Sequence, residues 1–279
     1  MQIGSFNISI VPDGQFRLDG GAMFGVVPKA LWNKLNPADE HNRILLGLNC
    51  LLIEHDDEKI LIDTGIGNKF DKKFASIYAI HREKTLLDKL NEKGIDRNDI
   101  THVLMSHMHF DHIGWNTLFD GDKLVPTFPN ATYFTQKGEF EVANNPDARS
   151  RASYLPENWL PLLENKQLAF IHGTSEVLPG IESVVVGGHT AHNSIIKIDT
   201  GEGIIVFLGD FIPTPSHLKT AYVMGYDLFP LELMKQKPGF LQQAADEKWL
   251  LVFEHAAEPT AGYISKDGNN WVLEKVSLH

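Results

Sequence analysis

The most constraining feature of this chain is the cluster of metal-binding residue types that follows Ser106. Three imidazoles and one carboxylate fall within six residues: His107, His109, Asp111 and His112. The apolar run His102-Val103-Leu104-Met105 before them predicts a buried strand that delivers a loop. Four such side chains seldom cluster without a metal, so unrelated surface and core histidines explain the pattern poorly.

The spacing within this cluster favours two adjacent metal ions. Residues i and i+2 of an extended chain point the same way, so His107 and His109 can close on one ion. Asp111 and His112 follow as the chain turns, and they can face a second ion beside the first. Neutral imidazole and carboxylate suit zinc and its neighbours. We therefore expect two divalent cations, zinc first, with cobalt, manganese or iron as alternatives.

Composition narrows the class of substrate and the organisation of the chain. With 279 residues, 43% of them hydrophobic, and no Gly/Ser/Pro-rich linker, a single domain over residues 1–279 is the simplest interpretation. Lys+Arg at 25 against Asp+Glu at 36 gives a formal charge of -11, which argues against a nucleic-acid substrate. Cys50 is the one cysteine and lies in an apolar run, so a buried thiol is expected.

The start of the chain carries neither a basic segment nor a long apolar stretch. We therefore expect a cytoplasmic protein without a membrane association, unless an export signal has been trimmed from it.

The pattern His-x-His-x-Asp-His resembles the signature of the metallo-β-lactamase superfamily. Later segments fall in the order which that superfamily uses: Gly188-His189-Thr190, Gly209-Asp210 and Glu254-His255. Further stretches resemble its branch of quorum-quenching N-acyl homoserine lactone lactonases and methyl parathion hydrolase: residues 20–25, residues 63–65 and residues 209–230. The resemblance implies the α/β fold called an αβ/βα sandwich, with two mixed sheets face to face, helices outside, and the metals at one sheet edge.

The resemblance also assigns a ligand set. It places His107, His109 and His189 on one metal and Asp111, His112 and His255 on the other, with Asp210 and a hydroxide between the two. Asp111 and Asp210 are the candidate catalytic carboxylates, and Asp111 can steer the hydroxide or carry its proton to the leaving oxygen.

Two further residues are candidates for supporting the ligands from behind. Asp63 ends a predicted strand, where its carboxylate can accept a hydrogen bond from a ligand imidazole, although a purely structural turn stays open. His192 lies three residues beyond His189. The family places its ligand at the first histidine of this segment, so we expect His192 behind a ligand or facing the substrate.

Two segments are candidates for walls of a substrate pocket. Residues 14–35, with Met23 and Phe24, can form an apolar flap over the metals, but core or subunit packing explains these side chains equally. Residues 144–165 read as a long irregular insertion that is either a lid or a peripheral excursion. The candidate pocket residues are Met23, Phe24, Tyr154, Trp159, Phe211, Tyr222 and Tyr226. His217 is expected at the surface.

One departure from the lactonases concerns the position three residues beyond Asp210. Some lactonases carry a tyrosine there that polarises the lactone carbonyl, whereas this chain has Pro213. A tyrosine-assisted oxyanion site therefore requires Tyr222 or Tyr226 to reach in from the following loop.

Hydrolysis of an N-acyl homoserine lactone is the first hypothesis for function. The alternatives are a phosphotriesterase or arylesterase of the methyl parathion hydrolase type, a thioesterase of the glyoxalase II type, and a metal-holding scaffold without turnover. The expected partner is a small ester or lactone, and a homodimer is an expectation from the resemblance alone.

The hydrophobic pattern also predicts several elements. They are a strand from residue 3 to 11 that ends at Pro12-Asp13-Gly14, a hairpin of residues 44–54 and 58–63, a helix at 82–93, and a helix at 231–248 broken or kinked at Pro238.

Overall fold

Two large mixed sheets organise the protein, whose computed structural model describes residues 1–278. Within those residues each of the two sheets has seven strands. The first sheet contains, in spatial order, β1 (Gln2–Ile3), β2 (Phe6–Asp19), β3 (Arg43–His55), β4 (Glu58–Ile62), β5 (His102–Leu104), β8 (Thr132–Gln136) and β9 (Leu168–Ile171). The second contains β10 (Ser175–Leu178), β11 (Ile181–Val185), β12 (Ser194–Asp199), β13 (Ile204–Phe207), β14 (Leu250–Val252), β15 (Ala261–Asp267) and β16 (Asn270–Val276). A separate hairpin joins β6 (Thr117–Asp120) to β7 (Lys123–Pro126).

Short helices fill the connections around the sheets. They are α1 (Gly20–Phe24), α2 (Lys29–Trp32), α3 (Lys72–Ile77), α4 (Leu86–Glu92), α5 (Lys137–Asn144), α6 (Leu160–Glu164) and α7 (Pro230–Asp246). Single 3-10 turns lie at Gly114–Asn116, Arg151–Ser153, Pro156–Asn158, Gly209–Phe211 and Pro215–Leu218. Among the residues described, no helix combines the length and the apolar composition that crossing a bilayer requires.

Period-two alternation explains why the sheets stack face to face. On β4, Ile60 and Ile62 point into the space between the sheets, whereas Leu61 packs on the opposite side. On β13, Phe207 enters the same central core and Val206 faces away. Because successive side chains of a strand alternate between faces, apolar residues at both positions make a sheet that is buried on both sides.

The outer faces of the sheets are covered by helices, which confirms the predicted αβ/βα sandwich. Leu86 and Leu90 of α4 join the core on the outer face of the first sheet. Leu233 and Leu241 of α7 do the same for the second sheet. The predicted break at Pro238 is absent from the described chain, because α7 runs from Pro230 to Asp246 with this proline inside it.

The predicted end of the first long strand at Pro12-Asp13-Gly14 is wrong. β2 continues to Asp19 and its pairing with β3 shifts register between Pro12 and Gln15, which is a bulge. The bulge turns Asp13 inward, where its buried carboxylate accepts hydrogen bonds from the amides of Ile66, Gly67 and Leu86. Turn-like residues therefore mark a bend inside a strand here.

Residues 144–165 are more ordered than an irregular insertion. Two 3-10 turns and α6 follow one another in this segment. Trp159 and Leu162 are fully buried in the core on the outer face of the first sheet, so half of the segment belongs to the body of the protein. The predicted flap is divided in the same way: residues 14–19 belong to β2, and the rest forms α1, α2 and their connections.

Candidate metal centre

The candidate ligands lie on loops that leave one edge of the two sheets. The motif that starts at His107 follows β5, and Asp63 follows β4 in the same sheet. From the second sheet, His189 follows β11, Asp210 follows β13, and His255 follows β14. The structure therefore brings together candidate ligands that are separated by up to 148 positions in the chain, from His107 to His255.

A first group of four side chains converges at this edge. Potential ligand atoms of His107, His109, His189 and Asp210 all lie within 4.8 Å of one another. His189 Nε2 is 3.0 Å from His109 Nδ1 and 3.0 Å from Asp210 Oδ2. Nε2 of His107 is buried and has no hydrogen-bond partner among residues 1–278. Convergent lone pairs without a donor between them are what a metal site requires, so these residues fit a cation.

A second group stands beside the first and is joined to it through Asp210. Potential ligand atoms of Asp111, His112 and His255 also lie within 4.8 Å of one another. Asp210 Oδ1 is 3.1 Å from His255 Nε2 and 3.6 Å from His112 Nε2. The two oxygens of Asp210 thus face different groups, which is the arrangement of a carboxylate that bridges two cations.

Four of the five imidazoles, those of His107, His112, His189 and His255, are held in place through their other ring nitrogens. Nδ1 of His112 lies 3.0 Å from Asp63 and 2.7 Å from Glu254, two fully buried carboxylates. His189 Nδ1 contacts Asp227 at 3.0 Å, and the remaining inner contacts are Ser106 Oγ to His107 Nδ1 at 3.1 Å and Gly47 O to His255 Nδ1 at 3.0 Å. Such partners orient the ligand nitrogens and raise their basicity.

Burial and charge determine which groups of the first cluster carry protons. Burial, reinforced by the neighbouring imidazoles, holds the pKa of His107 and of His109 well below the usual histidine value. Burial acts to raise the pKa of Asp210, but His189 and His255 outweigh it and hold that pKa well below the usual range. Two neutral imidazoles and an ionised carboxylate are the protonation states that ligands need.

The two imidazoles of the second cluster hold protons more tightly than His107 and His109 do. Burial acts to lower the pKa of His112, but Glu254 and then Asp210 raise it well above the usual histidine value. The pKa of His255 likewise rises to about 9, because Asp210 outweighs burial. A cation that binds here must therefore displace protons from the imidazoles.

Glu139, a buried carboxylate at the start of α5, accepts hydrogen bonds from two of the loops that carry candidate ligands. Its Oε1 accepts hydrogen bonds from the Tyr154 hydroxyl at 2.9 Å and from the Met108 amide at 3.3 Å. Its Oε2 accepts from the Thr190 hydroxyl at 2.7 Å. Met108 stands between two candidate ligands and Thr190 directly follows a third, so Glu139 couples both loops to the segment that contains Tyr154.

A cleft opens over the two groups. Its apolar lining consists of Leu18, Met23, Phe110, Met224 and Leu228. Its polar lining includes Tyr78, Asp111, Arg149, Ser150, Ser153 and Tyr226, with His109, His189, Asp210 and His255 at the floor. Part of the 144–165 segment therefore forms one wall of the cleft, while Tyr154, Trp159 and Leu162 of the same segment belong to the core.

Met23 and Tyr226 are the predicted pocket residues that line this cleft, and five others do not. Phe24 is buried between Trp32 and His217, and Tyr222 packs edge-on against Phe24. The other three are buried elsewhere: Tyr154 against His109 and Glu139, Trp159 in the core of the first sheet, and Phe211 against Phe240 beside α7. Aromatic residues near a site in sequence serve as its packing more often than as its lining.

The structure also places two further histidines, His192 and His217, near the site. The ring of His192, expected behind a ligand or facing the substrate, packs against Gly138 at the start of α5, and His192 is not part of the cleft lining. The expected surface position of His217 is wrong: it is 1% exposed, and its Nε2 lies 2.8 Å from the Met23 carbonyl oxygen. At Pro213, the carbonyl oxygen accepts a hydrogen bond from the His255 amide, so this residue supports a ligand through its backbone.

Several residues of the site were missed by sequence reasoning. They are Glu139, Asp227, Arg149, Tyr78 and the role of Glu254. Glu254 stands next to a candidate ligand, which is a usable signal. The others lie in stretches with ordinary polar composition, far in sequence from the residues they contact.

With this geometry in place, comparison with known families defines the class of protein. The sequence model of the metallo-beta-lactamase superfamily matches residues 44–255, a stretch that contains every candidate ligand. The chain belongs to this superfamily and is a metal-dependent hydrolase of the metallo-β-lactamase fold.

Individual relatives narrow the comparison. The chain is 29% identical over 177 residues to an N-acyl homoserine lactonase of Bacillus cereus, an alignment that covers 60% of this chain and 64% of that protein. A probable metal-dependent hydrolase from Staphylococcus aureus is 31% identical, with a TM-score of 0.90 over 99% of both chains. The structure of AidC, a dizinc quorum-quenching lactonase in complex with a product, has 22% identity and a TM-score of 0.80, over 100% of this chain and 97% of that one. This last likeness concerns the fold.

Proposed function

We propose that this protein is a dinuclear metal hydrolase that opens the lactone ring of N-acyl homoserine lactones. The observation that carries the proposal is that two ligand groups meet on opposite oxygens of Asp210 at the floor of a cleft with an apolar wall. The relatives named as lactonases support the choice of substrate.

The residues present fit two divalent cations, which we propose to be zinc. His107, His109 and His189 would hold one of them, Asp111, His112 and His255 the other, and Asp210 would serve both. When bound, such a pair of cations lowers the pKa of water to provide a nucleophile at neutral pH and polarises a carbonyl oxygen. No cysteine or serine nucleophile is needed for this chemistry.

Asp111 is the residue that we propose moves the proton. It lines the cleft, and its Oδ1 and Oδ2 lie 3.9 Å and 3.7 Å from Nε2 of His112 and of His255, respectively. Ring opening needs a proton on the departing alkoxide oxygen. Asp111 and Asp210 both line the cleft, but Asp210 has its two oxygens directed at the two ligand groups, so we assign the proton transfer to Asp111. General acid–base transfer of this kind contributes about 10²–10⁴-fold to a rate.

The cleft walls supply the remaining functions. Leu18, Met23 and Phe110 offer apolar surface for an acyl chain and keep water from the ligand groups. Tyr226 lines the same cleft, and burial followed by the neighbouring Tyr78 raises the pKa of its hydroxyl, which stays protonated. Tyr226 can therefore donate a hydrogen bond to a substrate carbonyl, the task for which Pro213 has no side-chain donor.

The proposal is tested by following acid release from N-hexanoyl homoserine lactone in a pH-stat. The protein is purified with a measured metal content, assayed, stripped with a chelator and assayed again. Rapid ring opening that chelation removes is the expected result. If fully metallated protein leaves the lactone intact, the proposal fails, and phosphotriesters, aryl esters and thioesters assayed in the same way identify the substrate class instead.

A pair of matched variants tests the cleft assignment. Tyr226→Phe removes the one hydroxyl that we assign to the substrate, and we expect kcat to fall by about tenfold. Tyr222→Phe removes a hydroxyl from a ring that packs on Phe24 outside the cleft, so its activity should match the parent. Equal effects of the two substitutions would contradict the placement of Tyr226.

A further inference from the structure

One positively charged side chain lies in the wall of the cleft and has no part in the chemistry described above. Among residues 1–278, Arg149 is the one lysine or arginine that lines the cleft. The acidic residues of the lining are Asp111 and Asp210 at the floor. A guanidinium so close to a hydrolytic centre is a donor group available to the substrate.

The backbone around Arg149 is held in a defined conformation. Asp147 Oδ1 accepts hydrogen bonds from the amide of Arg149 at 2.7 Å and from the amide of Ser150 at 2.9 Å. Ser150 itself is buried and lines the cleft. This turn directs the arginine side chain across the mouth of the cleft from the 144–165 segment.

The guanidinium is anchored on the opposite wall. Its Nη2 donates to the carbonyl oxygens of Gly225, at 2.5 Å, and Asp227, at 3.1 Å. Asp227, which provides one of these carbonyl oxygens, also contacts Nδ1 of the candidate ligand His189 through its carboxylate. These two hydrogen bonds therefore hold the Arg149 guanidinium in a fixed position relative to the ligand groups at the floor of the cleft, although Arg149 itself lies on a loop.

Most of the donor capacity of this guanidinium is unused. A guanidinium has five N–H groups in a planar fork. Both hydrogen bonds of the Arg149 side chain within residues 1–278 come from Nη2, which leaves the Nε and Nη1 donors for a ligand. Arg149 and the ligand groups line the same cleft, so a lactone whose ring carbonyl lies at the floor shares that cleft with these donors.

We propose that Arg149 is a specificity-determining residue that binds the amide carbonyl oxygen of an N-acylated lactone. The inference rests on the proposed function and adds to it, because it separates acylated lactones from lactones that lack the amide. The anchoring carbonyls hold the fork in place, so binding the amide oxygen costs little side-chain entropy. The amide then orients the ring over the ligand groups.

The test compares two substrates in three variants and the parent, each with measured metal content and Tm. The substrates are N-hexanoyl homoserine lactone and γ-decalactone, which has an alkyl chain but no amide. For Arg149→Met we expect KM for the acylated lactone to rise about tenfold, the equivalent of one hydrogen bond, with less than a twofold change for γ-decalactone. Arg149→Lys should fall between the parent and Arg149→Met.

Arg151→Met is the matched control, because Arg151 is exposed, lies two residues away, and is not part of the cleft lining. It should match the parent on both substrates. An equal loss on both lactones in Arg149→Met, or no loss on either, would overturn the inference while the parent still opens the acylated lactone. Failure of the parent itself to open that lactone would overturn the proposed function, and the inference with it.

Discussion

Replacing Glu139 should weaken the metal centre without touching a ligand. Glu139 is fully buried and accepts hydrogen bonds from Met108, Tyr154 and Thr190. Glu139→Ala removes all three acceptor contacts at once and leaves a cavity beside them. Each buried donor left without a partner costs about 1–3 kcal/mol. Loss of all three hydrogen bonds should lower the free energy of unfolding by several kcal/mol, and the total for a typical domain is about 5–15 kcal/mol.

The conservative variant predicts a much smaller effect. In Glu139→Gln the amide oxygen can still accept from Met108 and Tyr154, and the amide nitrogen can donate to the Thr190 hydroxyl, which also accepts. What is lost is the charge on the acceptor, about half the strength of each bond. We expect a loss of about 1–2 kcal/mol for this variant, and about 1 kcal/mol for Tyr154→Phe, which removes one donor.

Denaturant unfolding of metal-free protein measures these stabilities, and titration with Zn²⁺ under a competing chelator measures the affinity of the centre. Outer partners of metal ligands are worth about 10–100-fold in affinity, so we expect a loss in that range for Glu139→Ala. A Glu139→Ala variant with the stability and zinc affinity of the parent would refute the argument. A Gln variant as damaged as the Ala variant would show that charge, and not hydrogen-bond geometry, holds the loops.

Three shorter predictions follow from the site. Asp210→Asn should abolish turnover and reduce bound metal from two ions per chain, measured by elemental analysis, while circular dichroism stays unchanged; normal activity would mean that the ligands are assigned wrongly. Asp227→Ala should lower zinc affinity by about 10–100-fold, because Nδ1 of His189 loses its carboxylate partner; an unchanged titration would exclude that role. The metal-free protein should lose stability as pH rises from about 6.5 to 9. The pKa of His255 in the folded protein is raised to about 9, so its contribution of about 3 kcal/mol is complete below the unfolded pKa and disappears through the folded one. A Tm of chelated protein that is constant or rises over this range would contradict that prediction.

Much of the fold could be predicted because its signals are local. The apolar runs of β3 and β4 depend on near neighbours in the chain, and they predict these strands to within two residues. The motif from His107 to His112 is local in the same sense, since its geometry follows from residue spacing. The bulge at Asp13 could not be predicted, because a proline and a glycine that usually end a strand here bend it around a buried carboxylate.

Local sequence signals do not predict which residues line the cleft. Phe24 and Met23 are adjacent and similar in hydropathy, yet Met23 lines the cleft and Phe24 stacks on His217 below it. Apolar burial is not directional, so composition cannot separate a pocket wall from the core behind it. The same limit explains why the sequence predicts Trp159 and Phe211 as pocket residues although both lie in the core.

Residue types and their spacing are enough to indicate the class of chemistry, because imidazoles and carboxylates clustered at the ends of apolar strands are typical of metal sites. How these residues work together depends on the packing of the two sheets and their loops. That packing places the two oxygens of Asp210 between two ligand groups, sets Glu139 between the ligand loops, and brings Arg149 across the cleft to the carbonyls of residues 225 and 227. These contacts join positions 21 to 78 residues apart. Packing of whole sheets and loops determines such contacts, and residue spacing carries no information about them.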